Sequence, residues 1–200
     1  LAVEVTTILD GIKAKAAPGT VVDYTKGCDL VDANWPESEL VREPLTDEEQ
    51  KEIDKAVEQA RQSDVAVVVL GGNTRTCGEN KSRSSMDLPG RQEDLLKAVV
   101  ATGKPVVLVL IWGRPATINY ADRYCPAILA AGYPGAQGGR ALAECLKGDY
   151  NPGGRLPGTW PRTVGQLPMN IPTKPNANYE PNNYTVGNKG LLYCFGHGLS

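Results

Sequence analysis

Histidine is almost missing from this 200-residue chain: His197 is the only one. A mechanism built on a histidine base, or a metal held by several imidazoles, therefore has almost nothing to use. No C-x-x-C pair occurs among Cys28, Cys77, Cys125, Cys145 and Cys194. That removes zinc-ribbon and thioredoxin-like readings, and an odd, scattered set fits free thiols better than a disulfide scaffold. No apolar run approaches the roughly 20 residues of a membrane span. The longest, residues 106–112, is strand-sized. Net basic charge is also lacking, since 21 Lys and Arg meet 23 Asp and Glu for a net −2, which argues against a nucleic-acid partner. There is no GxxxxGK[ST] phosphate loop and no G-x-S-x-G elbow. The chain starts at Leu1 with no charged-then-apolar leader, and reads as an excised piece of a longer polypeptide.

What is present is an ordinary globular composition, 41% apolar and 22% charged. A chain of this length buries about 70% of its unfolded surface and needs no metal or disulfide staple. Residues 6–16 read as a helix stopped by Pro18-Gly19, and residues 21–24 as a short strand. Residues 27–44 form a polar loop. Thr46 and Glu49 make a capping box ahead of Ile53, Ala56, Val57 and Ala60, one apolar helix face. Residues 65–70, 106–111 and 127–131 read as continuously apolar strands, and the first fits a strand covered on both faces. Helices at 91–101 and 137–147 lie between and after them, and residues 155–160 read as a last edge strand. After Thr173 the chain turns to Asn, Pro and Tyr and reads as an extended tail. The alternation predicts an α/β fold: a three-layer sandwich with a mostly parallel central sheet and helices on both faces.

In such sheets ligands meet the loops at the carboxyl ends of the strands. Three loops qualify: residues 71–90, 112–119 and 132–139. The first is long for a compact domain, and long loops are more often functional than filler. It reads GGNTRTCGENKSRSSMDLPG. Glu79 is its carboxylate of interest, flanked in sequence by Arg75, Lys81 and Arg83, with Asp87 the other carboxylate the loop offers. An exposed glutamate paired with one of these cations is the plain alternative. Cys77 is either an activated thiol or a small packed one. Ser84 and Ser85 with His197 would make only a nominal hydrolase triad. Asn73, Arg75, Thr76, Asn80 and Lys81 are candidate ligand contacts or simple loop hydrogen-bonders, and Trp112, at a strand's end, is a stacking platform or a contact to another domain.

Taken together, GGNTRTCGENKSRSSMDLPGRQEDLL, GKPVVLVLIWGRP, AILAAGYPGAQGGRALAECLKGDYNPGGRLPGTWP and the ending YCFGHGLS closely resemble the C-terminal α/β-sandwich domain of family 3 glycoside hydrolases, the retaining β-glucosidases and β-xylosidases. The resemblance runs from about Thr6 to the end, and a single domain over 1–200 follows from it. It implies a missing N-terminal barrel domain that carries an aspartate nucleophile, and an acid/base residue on the loop after a strand. The family's G-E-G-x-D-R falls on residues 78–83, which puts Glu79 on the acid/base and Arg83 on the arginine. Asn80 and Ser82 depart from the commoner Gly and Asp. Substrate contacts are then expected from Asn73, Arg75, Thr76, Asn80, Lys81 and Arg83. The partners implied are a β-linked oligosaccharide or glycoside and the barrel domain; no cofactor or metal is implied, and the setting is periplasmic or secreted. A β-D-glucosidase is the favoured activity, with β-xylosidase as the alternative. A non-catalytic carbohydrate-binding module and a purely structural buttress are the competing classes.

Overall fold

The computed structural model describes residues 4–168 and 190–199. Three parallel strands form the sheet in the order β1–β2–β3: β1 Ala66–Gly71, β2 Val106–Ile111 and β3 Ala127–Ala130. The register sets Val68 beside Leu108 and Ile128, and Leu70 beside Leu110 and Ala130. Parallel neighbours need crossovers, and helices supply them. In order these are α1 Ile8–Lys15, α2 Asp47–Gln62, α3 Gln92–Val100, α4 Asn119–Tyr124 and α5 Gly138–Lys147.

One face of the sheet carries the main core. Val68, Leu70, Leu108 and Leu110 pack with Ile53, Ala56 and Ala60 of α2, Leu95, Leu96 and Val99 of α3, and Ala121 of α4. Burying a leucine of this kind contributes about 1.5–3 kcal/mol. The helices α1 and α5 pack on each other. Their crossing is a backbone-to-backbone contact. A Cβ on Gly11 would lie 2.2 Å from the Gly139 carbonyl oxygen, and one on Gly139 would lie 2.1 Å from that of Thr7. Only glycine on both helices permits this approach. Lys15 then ties the end of α1 to Glu144 and Asp149 at 3.4 and 3.1 Å.

The expected Thr46 capping box is present, with Glu49 Nα bonded to Thr46 Oγ1 and Thr46 N to Glu49 Oε2. Glu49 also accepts from Arg91 Nε at 3.0 Å, while the other guanidinium nitrogens of Arg91 donate to the Glu43 and Pro44 carbonyls at 2.9 Å. The start of α3 is thereby fixed to the start of α2.

Four expectations differ from what is observed. Residues 21–24 form no strand; Val21 is 78% exposed and Tyr24 67%. A strand exists only by pairing, and β1 hydrogen-bonds to β2 on one side and to no other described strand. Strand β1 is not covered on both faces: Val68 and Leu70 point inward, whereas Val67 and Val69 are exposed. Residues 155–160 contribute a single antiparallel bridge, Trp160 to Tyr193, because Pro157 and Gly158 interrupt the run. The six-residue helix α4 was not anticipated; it has no side-chain cap to announce it. The expected tail after Thr173 lies outside the described residues up to 189, but residues 190–199 fold back on the domain. Leu156 N donates to His197 O, and Tyr193 Oη donates to Asp122 at 2.7 Å.

All five cysteines are free: Cys125 is buried, Cys28, Cys77 and Cys145 are half-buried, and Cys194 is exposed. Burial pushes the Cys28 thiol up to about 12, with the Asp29 carboxylate adding to the effect. At pH 8 that leaves about one thiolate in ten thousand, and the thiolate is the reactive species. A disulfide reagent at pH 8 should therefore modify Cys194 first and Cys28 only on unfolding. Mass mapping of the modified peptides checks this, and early labelling of Cys28 would contradict it.

Candidate active site

The three loops singled out from the sequence do leave the carboxyl ends of the strands and meet there. Trp112 N donates to Gly132 O at 3.2 Å, joining the exits of β2 and β3, and Thr117 N donates to Met86 O at 3.0 Å, joining the exits of β2 and β1.

The long loop after β1 is built from two tight turns. In the first, Asn73 Oδ1 accepts from Arg75 N at 2.8 Å, and the Asn73 carbonyl accepts from Thr76 N and Cys77 N at 3.0 and 2.9 Å. Thr76 Oγ1 closes it by accepting from Asn73 N and donating to Asn73 O. In the second, Lys81 N donates to Gly78 O at 3.2 Å, which places Glu79 and Asn80 at the corner. Gly78 sits at φ +149 and Asn80 at φ +56. Asparagine tolerates the left-handed region better than most side chains, so it can stand where the family pattern commonly has glycine.

Glu79 is exposed at that corner and makes no ion pair with any described residue. Arg75, Asn80 and Lys81 are exposed beside it in the loop, and Asn73 is exposed with its amide oxygen turned to its own backbone. These residues are brought to one surface. Two other candidates are not. Thr76 is 1% exposed, and its hydroxyl is occupied by the Asn73 backbone. Arg83 turns inward: its guanidinium is paired with Glu39, donates to the Asp87 carbonyl at 3.0 Å and lies 5.5 Å from the Trp112 ring centre. It is an anchor for the loop, with a side chain 2% exposed. Both were expected among sugar contacts; their burial puts their polar atoms to structural use.

Three further expectations are corrected by the contacts. Trp112 is 6% exposed within the core cluster, so its indole is neither a sugar platform nor an open domain contact. Asp87 is bonded to the Thr117 hydroxyl, and does not stand as a second free carboxyl. His197 stacks on Tyr193 with ring centres 4.8 Å apart while Ser84 donates to Glu39 at 3.0 Å, so the nominal triad is not assembled. Cys77 packs against the loop after β2: a Cβ on Gly113 would lie 2.6 Å from Cys77 Sγ and 2.6 Å from the Tyr133 ring. Burial, and then the neighbouring Cys77, push the Tyr133 hydroxyl up, and Arg114 opposes them.

Two residues that matter here were not singled out in the sequence. Glu39, from a turn of 3₁₀ helix at Glu37–Glu39, accepts from Arg83 and from both N and Oγ of Ser84. A pair 44 residues apart leaves no periodic trace. Arg114 sits in the WGRP segment after β2 and donates through Nη2 to the Thr76 carbonyl at 3.0 Å and the Lys81 carbonyl at 3.1 Å. Its place at a strand's carboxyl end was a usable signal.

A cavity of about 300 Å³ lies beside β1, between Lys26, Cys28, Asp29, Leu30 and Val69, Gly71, Gln92. No candidate site residue lines it. Among the described residues no cluster of three or more His, Cys, Asp or Glu side chains could hold a metal, and no helix is long and apolar enough to cross a membrane.

Known proteins match this arrangement along almost the whole chain. A β-xylosidase from Formosa agariphila is 38% identical over 196 residues, which cover 97% of this chain and 25% of that protein. A periplasmic β-glucosidase from Salmonella typhimurium is 39% identical over 209 residues, covering 97% and 27%. The solved β-glucosidase of Erythrobacter marinus superposes with a TM-score of 0.80 at 38% identity, over 99% of this chain and 28% of that one. The chain thus spans about a quarter of the length of the relatives it matches. The profile described as the glycosyl hydrolase family 3 C-terminal domain matches residues 2–200, and the chain belongs to that family.

Proposed function

We propose that this chain supplies the general acid/base, Glu79, of a retaining, exo-acting β-glycosidase that removes terminal non-reducing β-linked sugars, with β-D-glucosides favoured as substrates. The observation that carries the reading is a carboxyl left exposed and without an ion-pair partner among the described residues, at the corner of a turn that Arg114 holds at the carboxyl end of the sheet. A retaining enzyme needs two carboxyls about 5–5.5 Å apart. One attacks the anomeric carbon; the other protonates the leaving oxygen and later takes a proton from water. Among residues 71–90 the only other carboxylate, Asp87, is occupied by Thr117. The family resemblance implies that the nucleophile comes from a barrel domain that closes over the loops. Its negative charge would favour the protonated form of the acid before attack. Relatives named β-glucosidase and β-xylosidase support the substrate class, and the choice between the two sugars rests with the barrel.

The chain alone should show no turnover of an aryl β-glucoside. In the full-length enzyme, Glu79→Ala should lose turnover of a dinitrophenyl β-glucoside and recover it with azide, which attacks the glycosyl-enzyme without needing a base and yields the glycosyl azide. An unchanged rate in that variant would favour a carbohydrate-binding or purely structural domain.

A further inference from the structure

The Glu79 turn is poorly equipped to hold its own shape. Gly78 and Asn80, on either side of the glutamate, both lie at positive φ, and one hydrogen bond of 3.2 Å spans the corner. A glycine next to the corner leaves the turn free to swing. What restrains it comes from elsewhere in the chain. A single guanidinium nitrogen of Arg114 bonds the carbonyls of Thr76 and Lys81, one on each side of the Cys77–Asn80 segment. Arg114 is itself placed by β2, whose last residues Leu110 and Ile111 precede Trp112 and Gly113, and Gly113 is pressed between Cys77 Sγ and the Tyr133 ring. Beyond the Asn73 turn and the packing of Cys77, Arg114 is the side chain from the β2 exit that hydrogen-bonds both flanks of the corner. On the far half of the loop Arg83 and Glu39 do the anchoring, and their hydrogen bonds go to each other, to Ser84 and to the Asp87 carbonyl.

Resting on the reading of Glu79 given above, we propose that Arg114 is a positioning residue for the acid/base: it fixes the direction from which the Glu79 carboxyl meets the leaving-group oxygen. In that role it acts through the turn, not on the sugar or the reacting atoms. Proton donation depends on that alignment, and a misplacement of about 1 Å can cost on the order of 100-fold in rate. The guanidinium suits the task because it is always charged and its donors are held in a rigid plane.

The test is a leaving-group comparison in the full-length enzyme. A phenyl β-glucoside needs a proton on its departing oxygen; a dinitrophenyl β-glucoside hardly does. With Arg114→Ala, kcat/KM should fall about 10- to 100-fold for the phenyl substrate and less than about 3-fold for the dinitrophenyl one. Arg114→Lys, which keeps a donor in reach, should recover part of the difference, and it carries the same comparison if the alanine variant does not fold. A merely structural role would lower both substrates together, and that result, or no change in either, overturns the proposal. Glu79→Ala is run alongside. If Glu79→Ala shows the split between substrates and the Arg114 variants do not, positioning by Arg114 fails and the acid/base reading stands. If Glu79→Ala shows no split, the acid/base reading fails, and this inference with it.

Discussion

Replacing Glu79 by alanine in the full-length enzyme should reduce kcat/KM for a phenyl β-glucoside by about 100- to 10,000-fold, the usual scale of general acid catalysis. That corresponds to about 3–5 kcal/mol added to the barrier. The dinitrophenyl β-glucoside should keep most of its kcat/KM, because its leaving group departs unaided, while its kcat falls as water attack on the glycosyl-enzyme loses its base. Azide should restore that second step and leave the first untouched. The three readouts separate roles that a single rate would merge. A binding residue would raise KM on both substrates alike. A structural residue would lower the amount of active enzyme and leave the substrate ratio unchanged. The exposure of Glu79 makes the substitution a mild one for the fold, so lost activity reports on chemistry.

The largest effect on stability is expected at Glu39. Its carboxylate meets an Arg83 side chain that is 2% exposed, and is itself only 6% exposed. Nη1 of Arg83 already has no hydrogen-bond partner among the described residues. Removing Glu39 would strand a buried charge and also leave Ser84 N and Oγ without their acceptor. Breaking one side of a buried pair costs about 3–5 kcal/mol. Glu39→Ala should therefore lower Tm by about 6–20 °C for a domain of this size. Thermal unfolding of the chain followed by circular dichroism measures it. A shift below about 2 °C would mean that the pair is solvated and contributes little. A hydrophobic replacement of both partners, Glu39→Leu with Arg83→Met, should recover much of the loss, since the penalty lies in the lone charge.

The sheet was legible because its strands are continuous apolar runs of Val, Leu and Ile, and α2 because Thr46 and Glu49 announce its first turn. Both signals are local. Residues 21–24 carry a strand's residue types but lack a paired neighbour, and composition does not tell where an edge will be open. Val67 and Val69 show the same limit: an apolar side chain states a preference for burial, not the presence of a cover. For the site, the loop and its position after a strand could be read from length and glycines. Glu79 was chosen among its neighbours by resemblance to a family pattern, since spacing alone did not distinguish it from a solvated surface glutamate. Thr76 reads as a ligand contact because it is polar and close in sequence to Glu79, and Arg83 because it falls on the arginine of the family pattern. Their burial follows from Asn73 and Glu39, which recruit them inward through contacts that have no period along the chain.

Both bonds that Arg114 makes to the turn end on peptide oxygens, not on side chains. Every amino acid offers the same acceptor, so the mount is indifferent to sequence while the tool it carries is not. Libraries randomised at position 81 should for that reason return mostly folded protein, making this corner a place where leaving-group preference can be re-engineered around an unchanged Glu79 without renegotiating the scaffold.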